Sequence, residues 1–166
     1  MRTILLTATV VGVLLGIGAW GQTKHSAVGT WKVDIAHSEF GAGEKPKSIT
    51  VVVLKDTPKM LSWRVRGVDG NGKAFAYSWS GPEDGTMHPV MQDGKEISKQ
   101  SAKREEDGAI LRHGEDPDGS SFDARSRLSE DGNSMNEETT TKDKDGKESK
   151  QKAVYVRVPM KKKTAA

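Results

Sequence analysis

The sequence predicts an all-β protein whose antiparallel strands follow one another as hairpins, and three observations support this. Asp-Gly occurs seven times, and successive pairs lie 9 to 15 residues apart. This dipeptide is typical of tight type I′ hairpin turns, so each interval suits one strand plus one turn. No interval is long enough for the crossover helix that parallel strands require. Finally, no segment longer than one turn has the periodicity of an amphipathic helix.

Within the intervals, apolar and polar residues alternate with the period of two that a half-buried strand requires. The segment Leu61–Arg66 and the segment containing Phe75, Tyr77 and Trp79 form the clearest hairpin. We expect about eight to ten strands in total. We also expect residues 36–40 to form a brief 3₁₀ turn. The strands that the alternation predicts are 28–33, 48–55, 61–66, 74–80, 96–104, 109–113, 121–129, 134–142 and 151–158.

A meander of this length has two edge strands, and closure into an up-and-down barrel removes both edges. A sandwich would only protect them. We therefore expect a closed β-barrel, a shape that at eight strands can enclose one small ligand.

The N-terminus predicts export. A short basic start at Arg2 is followed by an uncharged, mostly apolar stretch from Ile4 to Ala19, and small residues stand at its end. This pattern is typical of a signal peptide, here residues 1–21 with cleavage before Gln22. The alternative, an uncleaved anchor, is disfavoured because the stretch is short of the roughly 20 apolar residues that a membrane span needs. We expect a secreted or periplasmic protein with no integral membrane segment after signal removal.

The rest of the chain predicts one domain, residues 22–158, and a basic disordered tail, residues 159–166. The sequence contains no cysteine, so packing has to stabilise the domain without disulfides. The formal net charge is only +3, and the one basic cluster lies in the tail at residues 161–163. This charge distribution disfavours nucleic-acid binding. The four histidines lack metal-ligand spacing, so we expect no metal or cofactor, and we expect a monomer.

The first predicted strand carries a short motif. Residues 29–34 read G-T-W-K-V-D and residues 36–40 read A-H-S-E-F. The Gly-x-Trp of Gly29 and Trp31 resembles the lipocalin and wider calycin signature, and the longer run is similar to lipocalin-like domains of uncharacterised secreted bacterial proteins. The resemblance implies a barrel that binds a small, often apolar molecule. It also implies that Trp31 closes the barrel floor beneath a basic residue of the last strand, for which Arg157 is the candidate.

The candidate ligand-binding residues are four aromatic side chains on one predicted hairpin: Trp63, Phe75, Tyr77 and Trp79. They either line a pocket or simply form the core, since aromatic residues dominate core burial. The inward faces of residues 96–104 and 134–142 are polar and would supply a pocket with hydrogen-bonding groups. Glu137 and Glu138 point to opposite faces of their strand, so at most one faces the lumen.

Three functions follow from these observations. The leading hypothesis is non-covalent binding of a small apolar or amphipathic molecule. A structural or protein-interaction module with a filled core is the alternative. A third hypothesis is a calycin-type enzyme, but the sequence indicates no catalytic residue for it.

Overall fold

The computed structural model describes residues 25–41, 45–57 and 59–159. The predicted signal peptide and the tail beyond residue 159 lie outside the described residues. The described chain forms ten strands and no helix. They are β1 (Gly29–Val33), β2 (Ser48–Thr57), β3 (Met60–Val68), β4 (Ala74–Gly81), β5 (His88–Gln92), β6 (Lys95–Arg104), β7 (Ile110–Glu115), β8 (Ser121–Leu128), β9 (Ser134–Lys142) and β10 (Glu148–Arg157).

Each strand pairs antiparallel with the next in sequence, and β1 pairs with β10 to close the barrel. The predicted antiparallel meander and its closure are therefore confirmed. Because the strands alternate in direction, the connections fall at two ends. The upper end holds the β1–β2, β3–β4, β5–β6, β7–β8 and β9–β10 connections. The lower end holds the other four connections, together with residues 25–28 and 158–159.

Nine strands match the predicted ones within a few residues, and the tenth, β5, was not predicted. It is short, it contains Pro89, and only Val90 among its residues is a buried aliphatic. Proline cannot donate to a β-ladder, so such a segment gives little strand signal. The Asp93-Gly94 dipeptide between β5 and β6 was the one sequence feature that indicated a hairpin here. Both residues have positive φ, as a type I′ turn requires.

The predicted 3₁₀ turn at residues 36–40 is wrong. The segment is extended at Glu39, which exchanges two backbone hydrogen bonds of 2.7 and 2.8 Å with Lys152 of β10. Pairing with β10 lets this part of the long β1–β2 connection satisfy its polar groups, which a single isolated turn could not do as fully.

Most Asp-Gly turns also differ from the predicted type I′. Five connections share the same two backbone hydrogen bonds. A glycine N–H donates to the carbonyl of the residue three positions earlier, and the N–H of that earlier residue donates to a carbonyl just after the glycine. In one of them, Gly119 donates to Asp116, and Asp116 donates to Ser120. Positive φ is confined to the glycine in these turns, which is a type I turn followed by a left-handed residue. The five glycines are Gly72, Gly108, Gly119, Gly132 and Gly146.

Burial is concentrated at the lower end. Trp31 and Ala102 are fully buried and Trp79 is 1% exposed. Trp79 donates its indole N–H to the backbone oxygen of Gln100 at 3.0 Å, so this large residue fixes β4 against β6. Together with Ala27 of the N-terminal segment, which packs against this cluster, these residues close the barrel at its lower end.

At the upper end, two phenylalanines cover glycines on the neighbouring strand. Phe75 lies across from Gly67, and Phe122 lies across from Gly114. A Cβ at Gly114 would stand only 2.1 Å from the Phe122 ring, so the absence of a side chain there is what lets the ring lie against the sheet. In the pairs β3–β4 and β7–β8, an aromatic ring thus packs directly on the glycine backbone of the neighbouring strand.

Candidate functional site

The lumen of the barrel contains a cavity of about 460 Å³. Its lower part lies beside the buried residues of the closed end, whereas Ile97 at the upper end is 36% exposed. The cavity is therefore reached from the upper end. Its wall combines aliphatic and aromatic side chains with a few polar ones. The lining includes Ile49, Val51, Trp63, Val65, Tyr77, Val90, Ile97, Gln100, Ile110, Arg112, Asp116, Phe122, Ser126, Met135, Glu137, Thr139 and Tyr155.

A salt bridge lies on the inner wall of the barrel and spans β8. Arg112 of β7 donates to Glu137 Oε2 at 2.5 Å, and the Ser126 hydroxyl donates to the same oxygen at 2.7 Å. The side chains of Arg112 and Glu137 are 18% and 13% exposed. The guanidinium carbon also lies 5.9 Å from the ring centres of both Trp63 and Phe122. Arg112 is thus held by one carboxylate and two aromatic rings.

The charged pair and the tyrosines influence each other. Burial acts to lower the pKa of Arg112, but the charge and hydrogen bond of Glu137 together with Tyr155 and Tyr77 offset this, so the pKa of Arg112 is raised. Burial raises the pKa of Tyr155 strongly, and the negative charge of Glu137 adds to the shift. Burial likewise raises the pKa of Tyr77, with Arg112 acting in the opposite direction. Both phenols are therefore neutral, and the lumen carries a compensated ion pair rather than a free base.

Two buried N–H groups beside the cavity have no hydrogen-bond partner among the described residues. They are the indole Nε1 of Trp63 and the amide Nε2 of Gln100. Trp63 is 6% exposed and Gln100 is 2% exposed. Most buried polar groups in proteins are paired, so two unpaired donors in one cavity need an explanation.

The floor of the barrel is held by Arg157. Its guanidinium carbon lies 4.2 Å from the centre of the Trp31 ring, which is the arrangement that the lipocalin resemblance implies for these two residues. The same guanidinium donates to the backbone oxygens of Ser26, Val28 and Gly132 at 2.7–2.8 Å. Its Nη1 also lies 2.7 Å from where a Cβ of Gly29 would stand, so any other residue there would displace it.

A second ionic group completes the lower end. Arg104 donates to Glu83 through two bonds of 2.7 Å and also pairs with Asp56. The carboxylates of Glu83 and Asp56 are almost fully buried. Asp56 in addition accepts the backbone N–H of Ala27 at 2.6 Å. This group ties β2, β6 and the N-terminal segment together beneath the cavity.

The four aromatic candidates separate into different positions. Trp63 and Tyr77 line the cavity. Trp79 lies below it, stacked on Trp63 with ring centres 6.1 Å apart, and acts as part of the floor. Phe75 stacks on Tyr77 toward the upper end and covers Gly67 rather than lining the cavity.

The polar inward faces supplied several lining residues. Glu137 faces the lumen, while Glu138 lies outside and pairs with Lys152 at 3.1 Å. Gln100 on β6 also faces inward. Arg112, Phe122 and Tyr155 were not predicted as site residues. The pattern around Arg112 was ambiguous, because its strand places an aliphatic residue on each face.

The histidines form no site with acidic neighbours that could hold a metal ion within the described part of the chain. His113 is bonded to Asp123 at 2.8 Å on the outer surface, and this bond raises the pKa of His113. His113 also borders a shallow outer depression of about 600 Å³ across β6 to β10, whose walls carry charges of both signs. The charged residues of that depression show a modest basic excess: Lys103, Arg112, Arg125, Lys150 and Lys152 against Glu39, Asp123 and Glu138.

No helix long and apolar enough to cross a membrane occurs in residues 25–41, 45–57 and 59–159. In comparisons with known proteins, the sequence matches no protein-family profile and no curated protein.

Proposed function

We propose that the protein binds a small apolar or amphipathic molecule in the lumen of its barrel. The observation that carries this proposal is the cavity of about 460 Å³. Ligand sites have volumes of about 300–1,000 Å³ and are mostly apolar with a few placed polar groups, which matches this lining. A cavity of this size favours ligand binding over the alternative of a filled core.

The resemblance to lipocalin-like domains belongs to the same proposal. The packing of Arg157 on Trp31 beneath a closed antiparallel barrel supports it. With the N-terminal pattern of residues 1–21, it favours an exported, monomeric binding protein. The intact mass of protein recovered from the medium or periplasm should correspond to a chain that begins at Gln22. A retained N-terminus in all fractions would contradict the proposed export.

Binding is tested with a neutral hydrophobic dye such as Nile red. We expect its fluorescence to rise on adding the protein, with saturation at one dye per barrel. Native mass spectrometry of protein purified from its own host provides a second measurement, since a lumen ligand should survive as an added mass. An apo mass together with no dye binding would contradict the proposal.

Two neighbouring threonines on β9 provide a matched control. Thr141 lines the cavity, whereas Thr140 faces the outer depression, and both are half-buried. Thr141→Trp places an indole in the lumen and should abolish dye binding. Thr140→Trp adds the same side chain outside and should leave binding unchanged. Equal effects of both substitutions would indicate that the dye binds elsewhere.

A further inference from the structure

The two unpaired donors belong to residues that both line the cavity and that both contact Trp79. Trp63 is the cross-strand partner of Trp79 on β3 and β4. The backbone oxygen of Gln100 accepts the indole N–H of Trp79. Both donors therefore flank the same floor residue, although 37 positions separate them in sequence. Both nitrogens are themselves buried, so a ligand that reaches the lower end contacts them after a small shift of the two side chains.

The remaining charges of the lumen do not favour an ionic ligand. Arg112 is already neutralised by Glu137 at 2.5 Å. The other charged lining residue is Asp116, which lies in the β7–β8 connection at the upper end. An anion at the deep end would have to displace Glu137, and a cation would meet Arg112 and two N–H donors. Burying an unpaired charge is costly, so a neutral group is favoured there.

The upper part of the cavity is mixed in polarity, since Asp116, Ser121 and Thr141 line it there. Ile49, Ile97 and Phe122 line it near the opening. We expect a bound molecule to place its hydrogen-bond acceptor toward the floor. This orientation follows from where the donors lie, since a buried donor left unpaired costs free energy that a ligand acceptor would recover.

We propose that the cavity selects neutral ligands whose buried end carries a hydrogen-bond acceptor oxygen, such as a ketone, ester or amide carbonyl, received by Trp63 Nε1 and Gln100 Nε2. This inference rests on the proposed ligand binding. It adds the chemical class of the ligand and its direction in the barrel.

Three naphthalene probes of similar size test it: acetylnaphthalene, ethylnaphthalene and naphthoate. Each is titrated against bound Nile red to obtain its affinity. We expect the ketone to bind about tenfold more tightly than the hydrocarbon, since one or two recovered hydrogen bonds correspond to such a factor. The carboxylate should bind more weakly than the ketone.

Two substitutions assign the preference. Gln100→Met and Trp63→Phe remove the donors while keeping apolar bulk, and together they should reduce the ratio of ketone to hydrocarbon affinity to about one. Met135→Leu changes another lining residue without a hydrogen-bonding role and should keep the ratio. Should Trp63→Phe fail to fold, the wild-type spectrum still reports on this residue. Its indole N–H proton resonance should move downfield with the ketone and stay in place with the hydrocarbon.

The outcomes separate the two proposals. If neither the dye nor any probe binds, ligand binding itself is wrong and this inference falls with it. If the probes bind but the ketone has no advantage, the donors do not select the ligand and only this inference is overturned. Tightest binding of the carboxylate, or a ketone preference that persists without both donors, overturns it as well.

Discussion

At the scale of single residues, the ion pair in the lumen is the most constrained feature. Arg112 and Glu137 are largely withdrawn from solvent and satisfy each other. Removing one partner of such a pair leaves an uncompensated charge, whereas removing both removes the problem. The pair therefore matters more for what its disruption costs than for any net stabilisation that it provides.

We expect Arg112→Met to reduce the free energy of unfolding by about 3 kcal/mol, because Glu137 is left buried without its partner. The double variant Arg112→Met with Glu137→Leu should be more stable than this single variant. Urea unfolding at neutral pH compares wild type, Arg112→Met, Glu137→Leu and the double variant. Additive losses in the double variant would show that the two side chains do not interact.

Arg157 is a second residue whose role can be isolated. Arg157→Ala removes the contact with Trp31 and three hydrogen bonds to backbone oxygens. The partly solvated position limits the expected loss to about 2 kcal/mol in the free energy of unfolding. Arg157→Lys keeps the charge but not the planar fork and should lie between wild type and alanine in thermal melts. A lysine variant as stable as wild type would reduce the role of Arg157 to its charge.

At the scale of elements, only some of the turn glycines adopt the left-handed conformation that favours glycine. Gly72 has a φ of 90°, whereas Gly70, two positions earlier in the same turn, is not among the positive-φ residues. Gly72→Ala should destabilise the protein by about 1 kcal/mol, because L-residues disfavour the left-handed region. Gly70→Ala is the matched control and should be neutral or slightly stabilising. Thermal melts compare the two, and equal losses would contradict the turn assignment.

The pair of Gly114 and Phe122 allows a compensation experiment. Gly114→Ala places a methyl group against the Phe122 ring, and we expect a loss of about 1–3 kcal/mol from overpacking. Combining it with Phe122→Leu removes the ring that is displaced. The double variant should therefore lose less stability than the sum of the single variants in urea unfolding. Simple additivity would show that the ring and the methyl group do not compete for space.

The strands differ in how well the sequence predicts which face points into the barrel. Alternation revealed β3 and β4 because the large apolar residues of segments 61–66 and 74–80 all face one side. In β7 the alternation is ambiguous, since Ile110 and Arg112 face the lumen while Leu111 and His113 face outward. The deciding factor is Glu137, which lies 25 positions away and becomes a neighbour only when the barrel folds.

Depth within the barrel is a further property that periodicity does not contain. Trp63 and Trp79 stand on the same inward face, and both were reasonable pocket candidates. The register places Trp79 over the floor, where its N–H is taken by Gln100, and leaves the N–H of Trp63 beside the cavity. Only the pairing of β4 with β5, and of β5 with β6, decides this, and the sequence of β5 gave little indication of a strand.

At the scale of the whole molecule, the ionisable groups predict a stability optimum. Hydrogen bonds lower the pKa of five aspartates below 3.8, so their stabilisation exists above that pH and is lost as the pH falls below it. The Ser129 hydroxyl and the Asn133 backbone and side chain lower the pKa of Asp131 to about 2. The five residues are Asp34, Asp84, Asp107, Asp118 and Asp131.

On the alkaline side the sign reverses. The bond to Asp123 raises the pKa of His113 above 6.5, so its contribution is present below that pH and is lost as the pH rises through the folded value. Because burial raises the pKa values of Tyr77 and Tyr155 above 10.0, neither phenol affects the pH dependence of stability below that pH. Above pH 10.0 the unfolded chain loses these protons first, so the free energy of unfolding falls steeply. Urea midpoints across the pH range should therefore peak between about 4 and 6.5.

His113→Gln is the control for this profile. It should flatten the shallow decline above pH 6.5 and leave the acidic and alkaline limbs in place. Since His113 is well exposed, the step is expected to be below about 1 kcal/mol. A profile that is flat throughout the acidic range would contradict the role assigned to the turn aspartates.

The floor has a practical consequence for how the molecule can be attached to something else. Arg157 binds the backbone at Ser26 and Val28, and β10 ends beside them, so the described chain enters and leaves the barrel at the same end. The opening of the cavity faces the opposite way. A tag, tether or fusion partner joined at either terminus should therefore leave the opening unobstructed, and the barrel should bind equally well free in solution and when immobilised by either end.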